Sequence, residues 1–345
     1  MTVQHFGRQS LQFDRKPILL SYASVAGKKE AAGPLADSFD MTSQDTFFGQ
    51  KSWEQAESHM QKLCYELALQ KRNLKLEELD GVFTGDLLNQ CVGSSFALKD
   101  QNVPTFGLYG ACSTMAEGLL LGAMAVSGGF CRKVMALTSS HFAASERQYR
   151  FPLGYGGQRT PTAQWTVTGA GAVILGEIGK GPRITHATIG TIVDSGIKDA
   201  NNMGAAMAPA AVATLLAHFR ELNCSPQDYD LIVTGDLGKL GYEIVRDLMG
   251  REGFDLSRNY ADCGMLIYDL DKQDVHCGGS GCGCSAVTLC GHLLRMLEGG
   301  ALRRLLFCGT GALLSPLSVQ QGLPIPAVCH AVAICAEEDG VSWTM

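Results

Sequence analysis

Hydrophobic residues along this chain gather into short unbroken runs instead of alternating with polar ones, and stretches of helical periodicity separate the runs. Strands are expected at Ile18 to Val25, Asp80 to Thr84, Thr105 to Tyr109, Val134 to Thr138 and Val167 to Leu175. Unbroken apolar strands are covered on both faces, so their alternation with helices implies a mostly parallel sheet with helices on either side. One helix is expected from Ser52 to about Gln70, opened by Ser52 as N-cap with Glu54 in the first turn. Another runs from Ser113 to about Ser127 and is closed by Gly128 and Gly129. It is apolar nearly all round, as for a helix buried inside a fold. Gly118 and Gly122, four apart, share one of its faces and permit close backbone approach.

The second half repeats the first. "LDGVFTGDL" from Leu79 is answered by "YDLIVTGDL" from Tyr229, each an apolar strand running into the same Thr-Gly-Asp turn. "GACSTMAEGLLLGAMAVSGGFCRKVMALTSS" is answered by "GCGCSAVTLCGHLLRMLEGGALRRLLFCGTG", with Gly128-Gly129 matching Gly299-Gly300. A long-range self-match of this form implies duplicated units packed together. The halves are placed at residues 1–180 and 181–345. The simplest arrangement has two sheets, a shared pair of central helices that includes Ser285 to Leu297, and further helices outside.

Composition narrows the function. The chain has 345 residues, 46% hydrophobic and 18% charged, enough for a large buried core. A formal charge of −6 without a basic run excludes an ordinary nucleic-acid binder. The opening "MTVQHFGRQSLQFDRKP" has no apolar signal core, and no window offers eighteen uninterrupted apolar residues, so a cytosolic protein is expected. Thirteen cysteines, an odd number, read as reduced thiols, most of them small buried hydrophobes.

Cys112 stands apart, between a strand and the N-terminus of the apolar helix. Unpaired N–H groups and the helix dipole there favour a thiolate, which makes Cys112 a candidate nucleophile; a small residue filling a buried turn is the other reading. His276, ahead of the loop "HCGGSGCGCSA", and Cys308, at the end of "LRRLLFCGTG", are its candidate base and proton relay. Cys277, Cys282 and Cys284 fit no paired Cys-x-x-Cys pattern, so no metal is expected. Lys28 and Lys29 follow the first strand, His141 follows "TSS" and Asp194 sits in "IVDSG", each at a strand's carboxyl end where α/β folds bind ligands.

These features together resemble the thiolase-like superfamily, the thiolases and ketoacyl synthases: duplicated halves, a "GACS" cysteine opening a buried helix, and the strand "TGAGAVIL" at Thr168 to Leu175. The resemblance covers almost the entire chain. It implies an α/β, five-layered αβαβα fold with Cys112 in the acyl-accepting position. It sets His276 roughly where thiolases carry the histidine of Gly-His-Pro, and Cys308 where they carry the cysteine of Cys-x-Gly-x-Gly. The chain departs from the pattern at "LIVTGD", which ends in Gly235 and Asp236 where condensing enzymes place a catalytic histidine. It also lacks a Gly-His-Pro or Gly-Asn-Thr motif.

Within the superfamily, "YGGQRTPTAQWTVTGAGA" and "HCGGSGCGCSA" resemble the stage V sporulation AD family of spore-forming Firmicutes. That resemblance implies a non-catalytic protein that binds dipicolinic acid, pyridine-2,6-dicarboxylate, alone or with calcium. It further implies support of dipicolinate uptake into the developing spore with membrane proteins of the same operon, a homodimer without cofactor, and a peripheral place on the forespore or spore inner membrane. Ligand contacts are then expected from Lys29, Cys112, His141, Asp194 and Cys308, with Cys112, His276 and Cys308 as remnants of catalysis. The alternative is an acyltransferase of the ketoacyl-synthase kind, forming an acyl thioester on Cys112 with His276 as acid and base.

Overall fold

The computed structural model describes residues 3–149 and 159–336; Tyr155 to Gln158, which open the "YGGQRTPTAQWTVTGAGA" segment, lie outside them. Ten strands frame the molecule. They are β1 (Ile18–Ala26), β2 (Gly81–Gly85), β3 (Thr105–Gly107), β4 (Lys133–Ser140), β5 (Gly169–Gly176), β6 (Arg183–Thr188), β7 (Leu231–Thr234), β8 (Tyr260–Asp262), β9 (Arg304–Ala312) and β10 (Ala327–Cys335). The first five lie in the order β1-β5-β4-β2-β3 and the last five in the order β6-β10-β9-β7-β8. These orders are the same under the repeat, and the antiparallel pair Arg183 and Ile18 joins the two sets.

Each set is mixed where a mostly parallel sheet was expected. β5 runs antiparallel to both β1 and β4, while β4, β2 and β3 run parallel; β10 stands likewise between β6 and β9. Strand direction was not legible because a strand buried on both faces shows the same unbroken apolar run in either direction.

Helices complete five layers. Helix α1 (Trp53–Gln70) starts at Ser52, whose hydroxyl accepts from the Gln55 N–H at 3.3 Å, and covers the outer face of the first sheet. There Ala56, Met60 and Cys64 meet Val25, Leu137 and Ile174. Between the sheets lie α2 (Thr114–Ser127) and the helix that begins as α6 (Cys282–Thr288) and continues through a π turn at Leu289–Leu293 to Glu298. Met115, Leu119 and Leu289 pack there with Val173, Leu175, Phe307 and Val332. Outside the second sheet, α4 (Met203–Glu221) and α5 (Gly238–Arg251) pack Met207, Leu215 and Met249 on Leu306, Cys329 and Ala331. Neighbouring residues of β10, such as Ala331 and Val332, therefore serve different cores, and both faces must be apolar. One more helix, α3 (Phe142–Tyr149), follows β4 and helps build the site.

Glycine is required where α2 and α6 approach the sheets. A Cβ on Gly118 would stand 3.3 Å from that of Ala136, and one on Gly283 would stand 2.6 Å from the Ser140 hydroxyl. The thirteen cysteines are all free thiols, ten of them buried. Among the described residues no helix is long and apolar enough to cross a membrane, and no group of three or more His, Cys, Asp or Glu is placed to hold a metal ion.

Candidate functional site

Strand β3 ends at Gly107, and the chain bends through Gly110 into one 3-10 turn, Ala111–Ser113, before α2. Ala111 carries φ of +50°, a left-handed conformation that costs a residue with a side chain of order 1 kcal/mol. The turn is pinned locally. Ser113 Oγ donates to the Gly110 carbonyl at 2.7 Å, and Thr114 Oγ1 donates to that of Ala111 at 2.7 Å. This strained elbow sets Cys112, only 5% exposed, into the wall of a cavity of about 60 Å³. Leu87, Met203 and Leu314 give the cavity apolar walls, while Ser145, Glu146, Tyr149, Thr166 and Ser280 give it polar ones. Ser145 Oγ is buried without a hydrogen-bond partner.

The group facing Cys112 is a carboxylate. Asp236, fully buried at the turn after β7, accepts from the Gly281 N–H at 2.9 Å, Ser280 Oγ at 3.2 Å and Thr310 Oγ1 at 2.9 Å. Burial raises its pKa to about 7 against those hydrogen bonds, with the charge of Asp262 adding to the rise. Asp262 is itself pushed up to about 6 by burial and accepts from Thr234 Oγ1 and the N–H groups of Leu237, Gly238 and Gly264, which holds the turn in place. The Cys112 thiol is driven well above its ordinary range, first by burial and then by the charge of Asp236; the Gly281 N–H and Ser280 oppose this only in part. The helix terminus therefore does not win, and the thiol stays protonated.

A second thiol lies beside the first. Cys282 opens α6 as Cys112 opens α2, and the two share a small cluster with Leu87 and Tyr149. Cys282 Sγ donates to the Ser139 carbonyl at 2.9 Å, and Ser139 Oγ donates to the buried Glu57 carboxylate at 2.9 Å. Asp86, the repeat counterpart of Asp236, is likewise buried and accepts from Ser94 N and Oγ, both at 2.7 Å.

Of the residues singled out in the sequence, Cys112 lines the cavity, while Lys29, His141, Asp194, His276 and Cys308 do not. Lys29 Nζ sits 4.0 Å above the Trp165 ring, and burial lowers its pKa. Arg159 approaches the same ring at 4.9 Å, and Trp165 neighbours the cavity residue Thr166 in the chain. His141 is buried, its Nε2 2.8 Å from the Thr46 carbonyl. Asp194 is exposed and accepts from the Gly196 N–H at 2.8 Å. His276, at φ +52°, lies 3.4 Å from the Asp274 carboxylate. Cys308 is fully buried beside Cys329 in the outer core of the second half.

Asp236, Glu146, Tyr149 and Ser280 were not among the sequence candidates. The repeated Thr-Gly-Asp turn was the available signal for Asp236; Glu146 and Tyr149 lie in a segment whose pattern carries none.

Residues 7–335 match the family model described as Stage V sporulation protein AD. The chain is 44% identical over 326 residues to Stage V sporulation protein AD of Bacillus subtilis (strain 168), covering 94% of this chain and 96% of that one. Among solved structures it is similar to 3-oxoacyl-[acyl-carrier-protein] synthase III from Aquifex aeolicus VF5, with a TM-score of 0.54 and 13% identity, covering 93% of this chain and 99% of that one. It is also similar to cerulenin-bound OleA of Xanthomonas campestris, with a TM-score of 0.59 and 14% identity over 94% of this chain and 98% of that one. At such identity these structures speak for the fold alone.

Proposed function

The chain belongs to the Stage V sporulation protein AD family and has the thiolase-like fold, and on that basis we propose that it is a non-catalytic binder of dipicolinic acid that supports dipicolinate uptake into the developing spore. The observation carrying the non-catalytic part is Asp236. Acyl transfer to cysteine proceeds through the thiolate, and burial together with the neighbouring Asp236 carboxylate holds the Cys112 thiol neutral. No histidine among the described residues lines the cavity to take the proton.

The lining of the cavity matches the chemistry of a small aromatic diacid, and at about 60 Å³ the cavity must widen to admit one, since benzene alone occupies a cavity of about 150 Å³. Leu87, Met203 and Leu314 flank the ring, while Ser145, Tyr149, Thr166 and Ser280 offer hydroxyls to its carboxylates. Lys29, over the Trp165 ring beside the cavity residue Thr166, lends positive potential, with Arg159 on the same ring and paired to Asp274. Glu146 and Asp236 oppose a bare dianion, so the ligand enters with its charge offset by calcium, a hard cation suited to carboxylate oxygens. Membrane proteins of the same operon pass the ligand on. A second copy pairs along edge strand β3, whose three residues are all exposed, with Phe106 at 54%.

Calorimetry of the whole chain with dipicolinate tests this. Saturable binding is expected, tightened by calcium. Ala312→Phe, which fills the cavity from β9, is expected to weaken it at least about tenfold, and Lys29→Glu severalfold. Absence of binding, or equal affinity in Ala312→Phe, overturns the placement. Mass spectrometry after incubation with acyl-CoA distinguishes the acyltransferase alternative, which requires an adduct lost in Cys112→Ala.

A further inference from the structure

We propose that the end of the molecule opposite the cavity docks onto an anionic lipid bilayer. Two large apolar side chains stand almost free in solvent there: Phe130 is 86% exposed and Ile178 is 85% exposed, the highest values among the large hydrophobics described. They sit on neighbouring strand ends. Phe130 lies three residues before β4 and Ile178 two after β5, and the Glu177 N–H donates to the Arg132 carbonyl at 3.1 Å between them. Isolated exposed apolar residues are ordinary on a protein surface; two at adjacent positions and this far out form a wedge.

The charge around the wedge runs against the rest of the molecule. Residues 14–16, 130–133 and 177–183 together carry six basic side chains and two acidic ones, in a chain whose formal charge is −6. These segments meet in space. Arg15 lies 3.7 Å from Glu177, and Arg72 donates to the carbonyls of Leu20 and Lys180. Asp80, also at this end, has both its hydrogen bonds committed to the N–H groups of Arg132 and Lys133. An apolar wedge inside a cationic ring fits the headgroup region of an anionic bilayer, where each Lys or Arg close to the surface contributes about 1 kcal/mol. Nucleic acid would use the cations but leave Phe130 and Ile178 without a role.

The wedge is also presented rigidly. The Phe130 and Cys131 N–H groups both donate to the Ala125 carbonyl, at 3.0 and 3.1 Å, closing the end of α2. Its position relative to the cavity is fixed by β4, which starts at Lys133 beside the wedge and ends at Ser140, two residues before α3 lines the cavity. Eight residues of strand separate the two ends by about 25 Å, so a molecule seated on the bilayer turns its cavity away from it.

Flotation of the full chain with phospholipid vesicles tests the proposal. At about 0.1 M salt, vesicles containing about 30 mol% phosphatidylglycerol are expected to carry the protein, with binding at least about tenfold weaker on phosphatidylcholine alone and lost near 0.5 M salt. The double variant Phe130→Ser, Ile178→Ser and, separately, Arg15→Glu with Arg132→Glu are each expected to weaken binding about tenfold while melting as the unaltered protein does. No binding to the anionic vesicles, equal binding to both lipids, or binding unchanged in both variants overturns the proposal. So does attachment that appears only when a membrane protein is added to the vesicles, since the face would then recognise protein.

Discussion

Replacing Asp236 with asparagine is expected to raise the rate at which Cys112 is alkylated by iodoacetamide at pH 8 by at least about tenfold, the change that accompanies one unit of thiol pKa. The variant removes a negative charge from beside the sulfur, which favours the thiolate. Asparagine keeps one oxygen for Gly281 N–H and Ser280, and its amide can donate to Thr310 Oγ1. Because Cys131, Cys224 and Cys277 are also partly accessible, the measurement is peptide mass spectrometry resolved at Cys112. An unchanged rate would mean that burial alone keeps Cys112 inert, and the case that Asp236 silences it would fall.

The same substitution has a signature in stability. An aspartate in an unfolded chain titrates near 3.9, while burial lifts Asp236 to about 7, so between those values the folded state holds the proton more tightly. Its contribution to stability is complete below about pH 4 and is lost as pH rises through 7. The asparagine that replaces it has nothing to titrate. The difference in Tm, wild type minus Asp236→Asn, is therefore expected to fall steadily from pH 4 to pH 8. The buried His186, His218 and His330, whose lowered pKa values act in the opposite sense, remain in both proteins and cancel in the difference. Asp262, raised to about 6, is relieved of the Asp236 charge in the variant, so its own titration adds to the fall. A flat difference would mean that Asp236 is ionised throughout.

The strands of the first set could be read from the chain because each announces itself by an unbroken apolar run, and the runs recur with the same turns further on. Strand order was not read, and strand direction could not be. The elbow at Cys112 was legible for a local reason: a small-residue turn precedes an apolar helix within a few positions. Its chemistry was not, because the groups that set it arrive from across the molecule. Asp236 belongs to the second half, and its partners Gly281 and Thr310 lie 45 and 74 residues further along the chain. A helix dipole argument made from residues 110–127 alone therefore pointed to a thiolate, and burial, joined by a carboxylate more than a hundred residues away, reversed it. His276 shows the converse. It falls near the right place in the chain, but the left-handed turn at that residue sets its ring against Asp274 and out of the cavity lining.

A large loss of stability is expected from a single methyl group at Gly311. This residue lies near the end of β9, where the strand crosses the elbow that carries Cys112, and a Cβ there would fall well inside contact distance of the Gly110 carbonyl oxygen and 3.0 Å from Ser113 N. The obstacle is backbone on both sides, so no side chain can swing away. Gly110 O is also the acceptor for Ser113 N and Ser113 Oγ, and moving it loosens the turn before α2. Gly309 on the same strand faces a like restriction, its Cβ position lying 2.6 Å from that of Ala116. Overpacking of this kind costs about 3 kcal/mol, and Gly311→Ala should lower Tm by several degrees and impair dipicolinate binding together. The control is Gly250→Ala in α5, where an added Cβ meets nothing within 4 Å and the backbone is helical. That change should be neutral or raise stability by about 0.5 kcal/mol, since alanine loses less conformational freedom than glycine in a helix. Equal melting of the two variants would show that the β9 crossing yields easily, and the elbow would then not be the rigid support that the geometry makes it.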